Sequence, residues 1–249
     1  MIPMEAIGII PARYKSTRFE GKPLADILGK PMIQRVFEAA MKARRLDAVV
    51  VATDDVRIFD AVKGFGGSAV MTGSDHLSGT DRVAEAAAGY DAAIIVNIQG
   101  DEPLLDPAMI DECVGAVTST PDVELSTAMK RIDEAAFEDP GVVKVVCDTR
   151  GRALYFSRSL IPYPRSRTDE FAVFEHIGLY AYTRDCLMKL SRLMPTPLEK
   201  IEGLEQLRAL ENGIPIQVVE TRCTGPLVSV DTEEDLERVR QIFAAGGRW

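Results

Sequence analysis

The chain has 249 residues, 46% of them hydrophobic and 27% charged, with a formal net charge of −9. That composition belongs to a globular fold, not a disordered tract, and the length suits one large α/β domain with or without a small lobe. The acidic balance argues against nucleic acid or an anionic membrane as partner, because both need a basic face to displace counterions; any anionic ligand has to be held by local cations.

In chain order, short aliphatic runs alternate with helical patterns: IGII then PMIQRVFEAAMKA, DAVVVAT then VRIFDAVKGFG, SAVMT then TDRVAEAAAGY, AAIIVNIQ then DPAMIDECVGAV. Strand and helix repeated in this way predict a mostly parallel, doubly wound α/β sheet. Each strand runs into polar or special residues, Pro11-Ala12-Arg13, Thr53-Asp54-Asp55, Thr72-Gly73-Ser74 and Gln99-Gly100-Asp101-Glu102, and ligands of open α/β sheets bind at that rim. From about residue 123 the pattern becomes strand-like without intervening helices (ELSTAMKRI, VVKVVCD, ALYFSRS, HIGLYAYT), which predicts a smaller antiparallel insertion. Helices are expected over RDCLMKLSRL and, as one unit, over LEKIEGLEQLRALENG; IPIQVVE and the short LVSV then precede a last helix, DTEEDLERVRQIFAA. No boundary of a second independent domain stands out. The expectation is a single domain over 1–249, made of the parts 1–122, 123–220 and a C-terminal return over 221–249.

Cys113, Cys147, Cys186 and Cys223 are scattered singly, without a C-x-x-C pair, so free buried thiols are expected in place of disulfides or zinc. Glu5 stands where a signal peptide would carry cations, and no apolar run approaches the ~18 residues of a membrane span. The expected setting is a reducing cytoplasm.

Three stretches carry the chemistry. In IPARYKSTRFEGKPL, Arg13, Lys15, Arg18 and Lys22 crowd a loop that leaves a buried strand, with Ser16 and Thr17 as hydroxyl donors and Glu20 as its one acid. Such a loop suits a compact polyanion such as a triphosphate; a solvated basic loop is the other reading, and its place at the first crossover of the sheet favours the ligand. It matches neither G-x-G-x-x-G nor G-x-x-x-x-G-K-[ST]. In NIQGDEP, carboxylates follow an apolar strand at the same rim and can share a hard cation such as Mg2+ with phosphate oxygens, while Gly100 to Pro103 reads equally as a turn. In VDTEEDL, Asp231 or Thr232 is expected to cap the last helix, with Asp235 close to a capping-box position.

The ordered set IPARYKSTRFEGKPL, VATDD, MTGSDHLSGTDRVAE, VNIQGDEP, ALYFSRSLIPY, HIGLYAYT, LEQLRALE and VDTEEDLERV spans essentially the whole chain and closely resembles the 3-deoxy-manno-octulosonate cytidylyltransferases, or CMP-KDO synthetases. The resemblance implies a nucleotidyltransferase that joins CTP and KDO into CMP-KDO and pyrophosphate, for the lipopolysaccharide inner core. It implies that Ala12, Arg13, Ser16, Thr17, Arg18 and Lys22 hold the CTP phosphates, with Arg13 and Lys22 neutralising charge as the α-phosphorus bond breaks. It implies that Asp101 and Asp231 converge on Mg2+, a role compatible with capping, while Glu102 supports the turn.

The same resemblance gives cytosine selection to Thr72, Ser74, Gly79, Thr80 and Arg82, although an arginine in a first helical turn is otherwise often solvated. His76 receives no role. For KDO it implies Gln99, Arg158, Arg165, His176, Tyr180, Glu205 and Gln206; His176 and Tyr180, an even number apart on a strand, could equally line a core, and Glu205 could be solvated beside the buried Leu204, Leu207 and Leu210. A homodimer through the second half is implied too, which makes 1–122 the CTP-binding half, 123–220 the sugar-binding and dimerisation part, and 221–249 the return that carries a metal ligand. Alternatives are an 8-amino-KDO or another sugar-acid cytidylyltransferase, since ALYFSRS and HIGLYAYTR resemble the 8-amino variant, and a silent nucleotide-sensing module, which would be expected to lack one of Arg13, Lys22, Asp101 or Asp231.

Overall fold

The computed structural model describes residues 4–15, 19–76, 78–166 and 171–246. They divide into two compact units, one running to Asp111 and resuming at Cys223, the other Glu112–Arg222. The expected phosphate-loop residues Ser16, Thr17 and Arg18 lie outside the described residues.

The first unit opens with β1 (Met4–Ala12), in which Ile7, Ile9 and Ile10 are wholly buried. A run buried on both faces is what a central parallel strand requires, and each such side chain contributes about 1.5–3 kcal/mol by leaving water. A short turn, Lys22–Leu24, leads to a tight hairpin of β2 (Asp26–Ile27) and β3 (Lys30–Pro31), and α1 (Met32–Ala40) follows. At the hairpin tip Leu28 and Gly29 both take positive φ, 50° and 82°, the conformation that a two-residue loop of this hand needs.

The alternation then continues through β4 (Ala48–Thr53), α2 (Val56–Gly64), β5 (Ala69–Met71), α3 (Gly79–Ala87), β6 (Ala92–Asn97) and α4 (Pro107–Ser119), within which the boundary of the unit falls. The sheet order is β6-β1-β4-β5, every pair parallel, with Ile9 opposite both Val50 and Asn97. Helices separating parallel neighbours make this the α/β architecture read from the apolar alternation.

In the second unit β7 (Leu125–Ile132), β8 (Lys144–Cys147), β9 (Ala153–Ser157) and β10 (Val173–Thr183) pair antiparallel, as β7 with β10, β10 with β8 and β8 with β9. After α5 (Arg184–Leu190), two helices stand where one was expected: α6 (Pro197–Glu202) and α7 (Leu207–Glu211). Gly203 ends α6 at φ 64°, a left-handed conformation that glycine adopts at little steric cost, so the pattern LEKIEGLEQLR is interrupted at its glycine. Leu204 and Leu207 are buried, but Leu204 sits in the turn and Leu210 is only half-buried, so the expected leucine stripe is not one helix face. A buried ion pair, Arg208 Nη2 to Glu199 Oε1 at 2.5 Å and Nε to Oε2 at 2.9 Å, joins the two helices. β11 (Gln217–Glu220) closes the unit, parallel to β7.

Back in the first unit, LVSV forms no strand, contrary to expectation. Val228 and Val230 are buried there in a cluster with Ile27, Met32, Leu104, Leu236 and Val239, so their apolarity serves side-chain packing, not ladder pairing. The last helix, α8 (Glu233–Ala244), is capped by Thr232, whose hydroxyl accepts from the Asp235 amide while Asp235 accepts from the Thr232 amide. Asp231 is therefore not the cap.

Candidate active site

The end of β1 and the loop after β6 approach closely at the rim of the first unit's sheet. A Cβ at Gly100 would stand 2.9 Å from the Pro11 carbonyl oxygen, closer than real contacts allow, so only glycine lets the GDE turn lie against the start of the first loop. The amide of Val230 donates to the Asp101 carbonyl at 2.9 Å, pinning the C-terminal return to the same turn. Ser229 Oγ donates to Glu102 Oε1 at 3.3 Å, a second tie between the return and this turn.

These two ties bring Asp101 and Asp231, more than half the chain length apart, to one point. Lys22 Nζ donates to Asp101 Oδ2 at 2.7 Å and to Asp231 Oδ1 at 3.2 Å. The lysine side chain is 14% exposed and the two carboxylates 29% and 39%, so the cluster is sheltered yet open to a ligand. Among the described residues no group of three or more His, Cys, Asp or Glu side chains could enclose a metal. Two convergent carboxylates nevertheless fit Mg2+, which keeps several waters and takes the rest of its shell from one or two carboxylates and phosphate oxygens. The Lys22 ammonium sets a positive charge between the two acids.

Arg13 is exposed just beyond Ala12, the buried last residue of β1. Tyr14 begins the loop and closes its neck, since its carbonyl accepts from the Gly21 amide at 2.8 Å. Arg57 lays its guanidinium 3.2 Å from the Tyr14 ring centroid and is itself held by Asp55 through bonds of 2.9 and 2.7 Å. Asp55 also caps α2 and is held below the usual carboxylate range by its hydrogen bonds from Arg57. This stack of Asp55, Arg57 and Tyr14 was not singled out from the sequence.

Arg82 is 1% exposed, so the solvated reading fails for it. Its Nη1 donates to Thr72 Oγ1 at 2.5 Å and to the Gly73 carbonyl at 3.2 Å. Nη2 lies 3.2 Å from Asp54 Oδ2, a charge contact without hydrogen-bond direction, and among the described residues this buried nitrogen has no hydrogen-bond acceptor. Thr80 is buried in the first turn of α3, and Gly79 stands where a Cβ would meet Pro11 at 3.5 Å. Thr72 and Arg82 are thus brought together, with Gly79 and Thr80 one turn earlier on α3, whereas the Ser74 hydroxyl donates to the neighbouring Asp75 at 2.7 Å on an exposed loop. His76 is hydrogen-bonded to Glu85, which also accepts from the Gly73 amide and so ties this loop to α3.

Gln99 is half-buried beside Gly100. Among the residues expected to meet a sugar acid in the second unit, His176, Tyr180 and Gln206 cluster: the His176 ring is 5.5 Å from Tyr180 and 4.8 Å from Phe156, and Gln206 Nε2 lies 3.5 Å from His176 Nδ1. Burial lowers the His176 pKa to about 3, which keeps the ring neutral. Glu205 is half-buried and its carbonyl accepts from the Arg208 amide at 3.0 Å. Arg165 is exposed. Arg158 spends Nε on the Glu202 carbonyl and Nη1 on the Pro140 carbonyl, both at 2.8 Å, so much of its donor fork braces the fold. Lys144, buried and unforeseen, gives its three donors to the carbonyls of Asp139, Val142 and Arg158.

The four cysteines are free, three of them buried, and burial pushes Cys113 up to about 12. No helix among the described residues is long and apolar enough to cross a membrane.

Comparison with known proteins identifies the family. The cytidylyltransferase family profile matches residues 7–220. The 3-deoxy-manno-octulosonate cytidylyltransferase of Solibacter usitatus is 54% identical over 98% of this chain and 96% of its own length, and that of Geobacter sulfurreducens 52% identical over 95% and 98%. A solved structure of CMP:2-keto-3-deoxy-manno-octonic acid synthetase complexed with CTP superposes with a TM-score of 0.92 at 45% identity, covering 97% of this chain and 99% of that one. On the strength of these matches, the chain belongs to the cytidylyltransferase family.

Proposed function

We propose that the chain transfers the cytidylyl group of CTP to a hydroxyl of 3-deoxy-manno-octulosonate, yielding CMP-KDO and pyrophosphate for lipopolysaccharide synthesis. The relatives' names and the CTP-bound neighbour support the substrates. The observation that carries the chemistry is the meeting of Asp101 and Asp231 on Lys22 at the end of the parallel sheet.

In this reading Arg13 and Lys22 bind the triphosphate and offset charge that builds on the leaving pyrophosphate, the electrostatic work on which phosphoryl-type transfer chiefly depends. Asp101 and Asp231 hold Mg2+, which when bound supplies charge neutralisation and a more acidic attacking hydroxyl. Lys22 then exchanges its carboxylate partners for phosphate oxygens. The buried Nη2 of Arg82, with no acceptor among the described residues, is a ready donor to the cytosine carbonyl, while Thr72 and Thr80 bound the same ring. The carboxylate and hydroxyls of the sugar acid fall to Gln99, Arg158, Arg165, Tyr180, Glu205 and Gln206, with His176 packed against Tyr180 and Gln206 behind them. The enzyme works in the cytoplasm as a homodimer, with free thiols in keeping with a reducing compartment.

A pyrophosphate-release assay with Mg2+, crossing CTP, UTP, ATP and dTTP against KDO, its 8-amino analogue and sialic acid, tests the assignment. Release is expected with CTP and KDO; none with that pair, or a preference for the 8-amino sugar, overturns it.

A further inference from the structure

β10 carries an irregularity that orders the sugar-side cluster. Its register against β7 shifts between Ile177, opposite Ala128, and Tyr180, opposite Thr127. The bulge turns the carbonyls of Ile177 and Leu179 toward one side chain, the wholly buried Thr127, whose Oγ1 lies 3.0 and 2.8 Å from them and 3.0 Å from His176 Nε2. A threonine hydroxyl has one proton and two lone pairs, and carbonyl oxygens only accept. Were the hydroxyl to donate to the imidazole, its lone pairs would face two carbonyl oxygens at 3.0 Å or less. The proton therefore goes to the carbonyls, and His176 Nε2 has to be the donor to Oγ1. With Nε2 protonated in a neutral ring, Nδ1 is an acceptor, and the group facing it has to be the amide nitrogen of Gln206. That choice turns the Gln206 carbonyl oxygen away from the ring.

We propose that Thr127 is a positioning residue: by fixing His176 as the Nε2–H tautomer it orients the Gln206 amide so that its carbonyl oxygen is presented as an acceptor to a sugar hydroxyl. The part played by the sugar rests on the function proposed above; the tautomer does not. His176 is in this account a relay, 9% exposed and engaged at both nitrogens, not a direct ligand.

Two measurements test the proposal. The chain has two histidines, so long-range 1H–15N spectra of the imidazoles, with the variant His76→Gln to separate them, read the tautomer of the unmodified protein directly. An Nε2–H pattern for His176 is expected, and an Nδ1–H pattern overturns the relay whatever the turnover. In kinetics, Thr127→Val removes the hydroxyl at nearly constant volume and Thr127→Ser retains it. Loss of one oriented hydrogen bond predicts about a tenfold rise in KM for KDO with KM for CTP unchanged, restored by serine. An unchanged KM for KDO in folded Thr127→Val, or equal rises for both substrates, overturns the proposal. An Nε2–H spectrum with no turnover of KDO by the unmodified enzyme overturns the sugar reading, and with it the duty given to Gln206, while the tautomer stands.

Discussion

Replacing Lys22 by methionine separates two effects that the site combines. The ammonium stands 2.7 Å from Asp101 and 3.2 Å from Asp231, so the two acids sit within about 6 Å of each other. Their side chains are 29% and 39% exposed, which limits each ion pair to about 0.5–1 kcal/mol after solvent screening. Without the lysine the carboxylates repel by about 1–3 kcal/mol at that separation, depending on the effective dielectric. Lys22→Met is therefore expected to lower the stability of the nucleotide-free protein by about 1–2 kcal/mol, or roughly 3–6 °C in Tm for a chain of this size. It is also expected to tighten Mg2+ binding in the absence of CTP by about 5–30-fold, because the incoming ion no longer displaces an ammonium and relieves the repulsion. Turnover falls all the same, since the cation beside the triphosphate is gone. Thermal melting titrated with MgCl2 at constant ionic strength, with calorimetry for the affinity, measures both quantities. Unchanged or weaker Mg2+ binding in a folded Lys22→Met protein would refute the idea that lysine and metal compete for the same pair of oxygens.

Three further outcomes are expected. Arg82→Lys, which keeps the charge but loses the guanidinium whose Nη1 holds Thr72 and Gly73 while Nη2 stays available, raises KM for CTP at least tenfold and narrows the preference for CTP over UTP; steady-state kinetics with both nucleotides read this. Arg57→Met removes the cation from the Tyr14 ring, a contact of about 0.5–1 kcal/mol, and raises KM for CTP by about two- to fivefold without changing that for the sugar. The depressed pKa of His176 makes the unfolded chain bind one more proton than the native state between about pH 3 and 6.5, so its contribution to stability is lost as pH falls through that window, at up to about 1.4 kcal/mol per pH unit. Urea melts from pH 6.5 to 4 should show a shallower slope in His176→Asn; the raised pKa of Glu175 acts in the opposite sense and is common to both proteins.

The parts of the fold carried by periodicity are those that the residues alone disclose. β1, β4 and β6 are short aliphatic runs that the sheet buries, whereas β5 at its edge is only half-buried with Met71 exposed, and is legible from the alternation more than from burial. LVSV has the composition of a strand, yet its valines are consumed by a side-chain cluster under α8; tertiary packing overrides local preference there. The broken helix at Gly203 carried its own signal, a glycine within a helical pattern, although such glycines are tolerated in many helices. The cap of α8 turned on one position: Thr232 and Asp231 are both good caps, and it is Thr232 that stands three residues before Asp235 and completes the capping box with it, while Asp231 faces Lys22.

The site was legible in unequal measure. A cationic loop and two acidic stretches could be picked out by residue type, but the meeting of Asp101 with Asp231 depends on the amide of Val230 reaching the Asp101 carbonyl, which no spacing reveals; the family resemblance supplied it. Thr127 could not have been found at all. It is one hydroxyl in an ordinary alternating strand, and its importance comes from a bulge in the strand opposite.

The central claim, that Asp101 and Asp231 share one divalent cation beside the triphosphate, is tested most directly by an anomalous difference map at the manganese edge from crystals grown with Mn2+ and CTP. A peak bonded to an oxygen of each carboxylate at about 2.0–2.3 Å, with Lys22 moved onto phosphate, is the expected result. A peak on phosphate oxygens alone, with Lys22 still bridging both acids, would contradict it.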